Sequence, residues 1–123
     1  MFTSLGSEKN YRFYRSERIR KRREFLLVQG RGKKIHLQDL LAFIFPREGG
    51  PRLGITASKK VGTSVVRNKV KRRIRELWRL TKHELPSGFD IVILARRSAR
   101  EAKFHELKAQ MEELGRRMPH GAE

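Results

Sequence analysis

The sequence predicts an α/β (α+β) two-layer sandwich with elements in the order α-β-β-β-α-β-α. Three stretches carry this reading. "FDIVILA", residues 89–95, is a continuous apolar run of strand length, as a strand covered on both faces requires. "SVVRNKVKRRIRELWRL", residues 64–80, repeats its apolar residues at helical spacing. "LGITA", residues 53–57, alternates with a period of two. Helical and strand periods interleaved along a short chain predict helices packed on a small sheet.

Residues 1–15 read as a loose basic arm, 16–118 as one domain and 119–123 as a frayed tail. Ser16 is positioned to cap a first helix that starts at Glu17 and ends at Gly30 or Gly32. "KIHLQDLLAFIFP" follows, with a strand from Leu40 to Phe45 and a shorter strand or bend before it. "REGGPR" is a turn. The next strand sets Leu53, Ile55 and Ala57 on one face and Gly54, Thr56 and Ser58 on the other. A helix from about Ser64 to His83 ends at "ELPSG", and the buried strand comes next. The last helix carries Phe104, Leu107, Met111 and Leu114 at core spacing, with its aromatic side chain in the core.

Charge dominates the composition. Thirty Lys and Arg face 13 Asp and Glu, giving a net charge of +17 and a pI near 11.4. So small a body repels itself unless a polyanion neutralises it, and nucleic acid is the leading partner. An anionic membrane surface is the alternative, and the narrow, core-like apolar stripe of the charged helix argues against it. There is no cysteine, no run of transmembrane length and no apolar signal region in "MFTSLGSEKNYRFYR", which together predict a cytoplasmic protein.

On a helical wheel at about 100° per residue, Val66, Val70, Ile74, Leu77 and Thr81 fall within about 80° of one another. Arg67, Asn68, Lys71, Arg72, Arg75, Arg79 and Lys82 sweep the opposite side. A merely solvated face would intersperse acids for i,i+4 pairing, but Glu76 is nearly alone. The strip therefore predicts phosphate binding. Just before it, "SKKVG" puts Lys59 and Lys60 beside the helix start, where backbone N–H groups favour an anion.

A second surface is legible on the sheet. Phe25 and Gln29 share a face of the first helix, and Leu41, Phe43 and Phe45 point one way from their strand. Thr56 and Ser58 add small hydroxyls. Aromatic rings beside small polar groups and arginines hold unpaired RNA. Phe45 reads as core; for Phe25 and Phe43 both core packing and base stacking are open. No catalytic constellation accompanies these surfaces. The only aspartates, Asp39 and Asp90, are far apart in sequence, and His36, His83, His105 and His120 show no paired spacing. Metal-dependent nucleases need clustered carboxylates, so the polypeptide is predicted to bind no metal or other cofactor and to have no active site of its own.

"RLGITASKKVGTSVVRNKVKRRIRE" closely resembles the signature of the bacterial ribonuclease P protein component, with Arg67-Asn68, Lys71-Arg72 and Arg75-Glu76 at the family's spacing. Weaker similarity runs over residues 16–115. Gln29 stands where the family often has an aromatic residue, and Ser64 where it often has alanine. The resemblance implies a subunit of an endoribonuclease that removes the 5′ leader from precursor tRNA, with a catalytic RNA and its Mg2+ doing the chemistry. It implies that Lys59, Lys60, Arg67, Asn68, Lys71, Arg72, Arg75 and Arg79 meet the RNA subunit, and that Phe25, Gln29, Phe43, Thr56 and Ser58 line a cleft for the leader. It also implies a fold like ribosomal protein S5 domain 2 with a left-handed β-α-β crossover; no membrane and no obligate protein partner are predicted. Composition alone equally supports a structural RNA-binding protein of ribosomal type.

Overall fold

In the computed structural model residues 13–119 are described. Four strands form one sheet: β1 (Lys33–His36), β2 (Leu40–Pro46), β3 (Arg52–Ala57) and β4 (Phe89–Ala95), in the order β1-β2-β4-β3. β1 and β2 are antiparallel, as are β2 and β4, while β3 and β4 run parallel. Among the described residues three α-helices accompany the sheet: α1 (Arg22–Arg31), α2 (Ser64–Thr81) and α3 (Phe104–Arg117). The expected element order holds. β4 is central and buried on both faces, which is why it reads as an unbroken apolar run.

The helices lie on both faces of the sheet, so the two-layer expectation is corrected. α2 and α3 cover one face, with Leu40, Ala42, Ile44, Leu53, Ile91 and Ile93 beneath them. α1 covers part of the other, closing Val28 over Phe43 and Val92 with Phe25, Leu41, Phe45 and Leu94 around them. The alternate residues of β2 and β4 are apolar too, so this second face needs its own cover.

α1 begins five residues later than predicted, and Ser16 caps nothing there. Residues Arg15–Glu17 form a single 3-10 turn, after which the chain runs beside β3. Ile19 N–H donates to Leu53 O at 2.9 Å. The Glu17 carboxylate accepts from Trp78 Nε1 at 3.2 Å and from Lys82 Nζ at 2.9 Å. These long-range bonds outweigh the local helical preference. At the inner end of the arm, Phe13 packs on Trp78 with ring centroids 6.2 Å apart and Arg18 stacks 4.5 Å above Phe13. Residues 1–12 and 120–123, the rest of the arm and of the tail, lie outside the described residues.

Two more placements differ from expectation. Lys82, read as part of the cationic strip, is buried against Glu17. Phe104, read as core, is 39% exposed. It opens α3, and the buried Ala99 and Ala102 already close that end of the core, so the apolar face starts at Leu107. Both aspartates are buried and structural. Asp90 takes Arg52 in a fork at 2.8 and 2.7 Å, and this hydrogen bonding holds the Arg52 pKa above its ordinary value. Asp39 accepts from Ser98 Oγ and Gln110 Nε2, each at 2.6 Å.

Candidate nucleic-acid interface

The interface begins at the end of β3. Ser58 terminates the strand and caps a 3-10 turn at Lys59–Val61, its Oγ accepting from Lys60 N–H at 3.2 Å. Gly62 then takes φ of 153°, which a side chain would resist, and Thr63 caps α2 by accepting from Val66 N–H. Val61 is fully buried in the turn, so Lys59 and Lys60 stand exposed on an anchored platform at the head of the helix.

Along α2, the buried stripe is Val70, Ile74, Leu77, Trp78 and Thr81. Trp78 is the member that the wheel reading omitted. It sits at the edge of the arginine strip, and docking of the 13–18 segment covers it. Asn68, Arg72 and Arg75 are exposed, and Arg67 and Lys71 partly so. Among the described residues Arg67 bonds only neutral groups, Gly62 O at 3.4 Å and Ser64 Oγ at 3.2 Å. No acid among the described residues cancels its charge. Arg79 differs: it forks onto Glu76, with Nε to Oε1 at 3.1 Å. That hydrogen bond holds the Glu76 carboxyl below its ordinary range and raises Arg79.

A groove runs beside this face. One part, of about 450 Å³, is lined by Arg20, Lys21, Arg22, Phe25, Gln29 and Thr56. That is within the range of roughly 300–1,000 Å³ typical of ligand clefts. The adjoining part is lined by Phe13, Arg18, Arg20, Phe25, Ile55, Lys71 and Arg75. Phe25 and Arg20 belong to both, so the cleft under α1 continues onto the cationic face of α2. Phe25 lies tight over β3, because a Cβ on Gly54 would come within 2.6 Å of its ring. Any larger residue at position 54 would displace that ring.

Of the predicted cleft residues, the structure brings Phe25, Gln29 and Thr56 together. Phe43 is only 6% exposed and lies under α1, leaving little ring for a base to stack on. Ser58 is drawn into the turn beyond β3. Arg18 and Arg20 were missed. Their signal was the alternation "RIRK", a strand-like period inside what reads as the start of a helix. Among the described residues, no group of three or more His, Asp or Glu side chains could hold a metal ion, and no helix is long and apolar enough to cross a membrane.

A cationic helix on a mixed sheet, flanked by a basic groove with one aromatic wall, defines a small α+β protein built to meet a polyanion. The family profile described as Ribonuclease P matches residues 13–119. The ribonuclease P protein component of Desulfovibrio desulfuricans is 41% identical over 115 residues, spanning 89% of this chain and 88% of its own. That of Desulfatibacillum aliphaticivorans is 34% identical over 114 residues, spanning 92% and 97%. The solved ribonuclease P protein of Thermotoga maritima superposes with a TM-score of 0.76 at 33% identity, over 84% of this chain and 98% of that one. The chain belongs to the bacterial ribonuclease P protein family. It is a protein subunit of ribonuclease P, the endoribonuclease of tRNA 5′ maturation, and its partner is the ribonuclease P RNA. The alternative of a ribosomal-type structural protein gives way to these matches.

Proposed function

We propose that α2 and the turn before it bind the RNA subunit through Lys59, Lys60, Arg67, Asn68, Lys71, Arg72 and Arg75, with Arg79 a weaker member. The groove holds the single-stranded 5′ leader of precursor tRNA. Phe25 stacks on a base, Gln29 and Thr56 flank it with polar atoms, Phe43 supports Phe25 from below and Ser58 stands at the rim. The continuity of the groove across Phe25 carries this reading, because it lets one strand pass from the cleft to the surface that meets the RNA. The family resemblance supports an S5 domain 2-like fold with a left-handed β3-α2-β4 crossover, and work in the cytoplasm, where precursor tRNA is made.

In this reading the protein's part is electrostatic, and its two aspartates serve as buried structural partners. Two polyanions must approach, and either Mg2+ on the RNA or the basic faces of this chain can offset their repulsion. Single-turnover cleavage across a magnesium series tests this, with and without protein, on substrates with long and one-nucleotide leaders. The protein should lower the magnesium requirement, and the benefit should shrink as magnesium rises and as the leader is shortened. Site-specific cleavage by protein free of RNA, or a benefit independent of leader length, would overturn the reading.

A further inference from the structure

The connection between β4 and α3 carries positive charge that neither surface above uses. Arg97 and Arg100 are exposed on a 3-10 turn, Arg97–Arg100, pinned by the fully buried Ala99. This turn packs against both the Lys59–Val61 turn and α2. Arg73 ties the helix to it, Nη1 donating to Ala102 O at 3.3 Å. On the wheel, Lys69 and Arg73 lie about 60° and 100° beyond Arg72, on the side away from Lys71. Positive charge thus continues around α2 from Arg72 through Lys69 and Arg73 to Arg100.

Among the described residues, acids offset little of it. Glu101 approaches Arg100 only at 3.8 Å, with its own side chain 79% exposed. Asp39, under the turn, is buried and bonded to Ser98 and Gln110. Two turns in contact therefore carry four exposed cations, Lys59, Lys60, Arg97 and Arg100. Their mutual repulsion is relieved by an anion that spans both turns, and a nucleic-acid backbone supplies phosphates in series.

We propose that the RNA-subunit interface wraps around α2 onto the β4–α3 turn, where Arg97 and Arg100 contact phosphates of the ribonuclease P RNA. This rests on the assignment of α2 to that RNA. The test measures binding of the full chain to its cognate ribonuclease P RNA over a chloride series. Three variants are compared: R97Q/R100Q, R67Q/R72Q on α2, and R31Q/K33Q as a charge-matched control near the opposite edge of the sheet. Two lost phosphate contacts should flatten the salt slope of R97Q/R100Q by about 1.4–1.8. The control should change it far less. A slope for R97Q/R100Q no flatter than the control's, with R67Q/R72Q clearly weakened, would overturn the proposal and leave the α2 reading standing. Unchanged binding by R67Q/R72Q would overturn that reading and the proposal with it.

A second measurement does not depend on affinity. The chain has no cysteine, so R97C gives a unique attachment site for an iron–EDTA cleavage probe. Cuts in the RNA close to those from a probe at K60C support one continuous interface. A bound complex without cuts from position 97 would sink it.

Discussion

Glu76 is the acid that α2 places among its arginines, and it lowers the charge that the helix offers to RNA. The hydrogen bond from Arg79 holds its carboxyl below the ordinary carboxylate range. By linkage, the pair's contribution to stability is present above the unfolded carboxylate pKa and is lost as pH falls through the lower folded value. The Glu76 side chain is 44% exposed, so water screens that contribution. The larger consequence is for binding. E76Q should break the Glu76–Arg79 ion pair and remove a repelling charge, strengthening RNA binding several-fold and steepening its salt dependence. R79A should flatten the salt slope less than R67A, for which the expected change is about 0.9 per lost phosphate contact. A filter-binding series in chloride compares all three. Gly54 offers a separate test of the groove. G54A alters the chemistry of no groove side chain but drives a methyl into the Phe25 ring and displaces it. It should weaken binding of leader-bearing precursor tRNA to the holoenzyme, by up to the roughly 1–3 kcal/mol of a stacked base. Binding of mature tRNA should be unchanged. At this scale the sequence told which residues are basic but not which charges the fold cancels. Arg67 and Arg79 look alike on a wheel, and only the geometry of Glu76 separates them. Lys82 shows the same gap, because its partner Glu17 is distant in sequence.

Among the elements, those with a strong local period were legible. α2 and β4 came out within a few residues because stripe and apolar run are properties of the segment itself. α1 did not. Its predicted first turn is held extended by bonds to β3 and α2, and long-range partners leave no local trace in the sequence. The groove suffered likewise: Phe25 and Thr56 were recognised, while Arg18 and Arg20 entered it only because that stretch is not helical. Glu17 is what clamps the segment down, and it faces a Lys82 side chain that is only 8% exposed. E17A removes that carboxylate from a largely buried ammonium and from the indole N–H. The expected cost is on the order of 3 kcal/mol, the lower end for breaking a buried pair. E17Q, which can still accept from Trp78, should cost less. Urea denaturation of the three proteins gives the comparison, and an E17A midpoint equal to the parent's would refute the clamp.

For the whole molecule, the governing quantity is the net charge of +17. An anion that binds only the folded state stabilises it by mass action, about 2.7 kcal/mol at one hundred times its dissociation constant. Sulfate should therefore raise the melting temperature by several degrees beyond sodium chloride of equal ionic strength. RNA should do so at far lower concentration. Coincident melts in the two salts would show that the basic faces do not act as folded-state anion sites. The comparison of R97Q/R100Q with the parent under sulfate would also show whether small anions use the β4–α3 turn.

Trp78 is the single tryptophan of the chain, and it is fully buried between α2 and the docked 13–18 segment. The protein thereby carries its own optical reporter at the joint between groove and cationic helix. Indole emission follows the polarity around the ring, so lifting the 13–18 segment shifts the light to the red while the sheet is still intact. Backbone circular dichroism, recorded on the same sample, follows the helices and strands instead. Where the two signals part company in a denaturant or salt titration, the joint has opened ahead of the fold. Where they stay together, the groove wall and the core come apart as one cooperative unit.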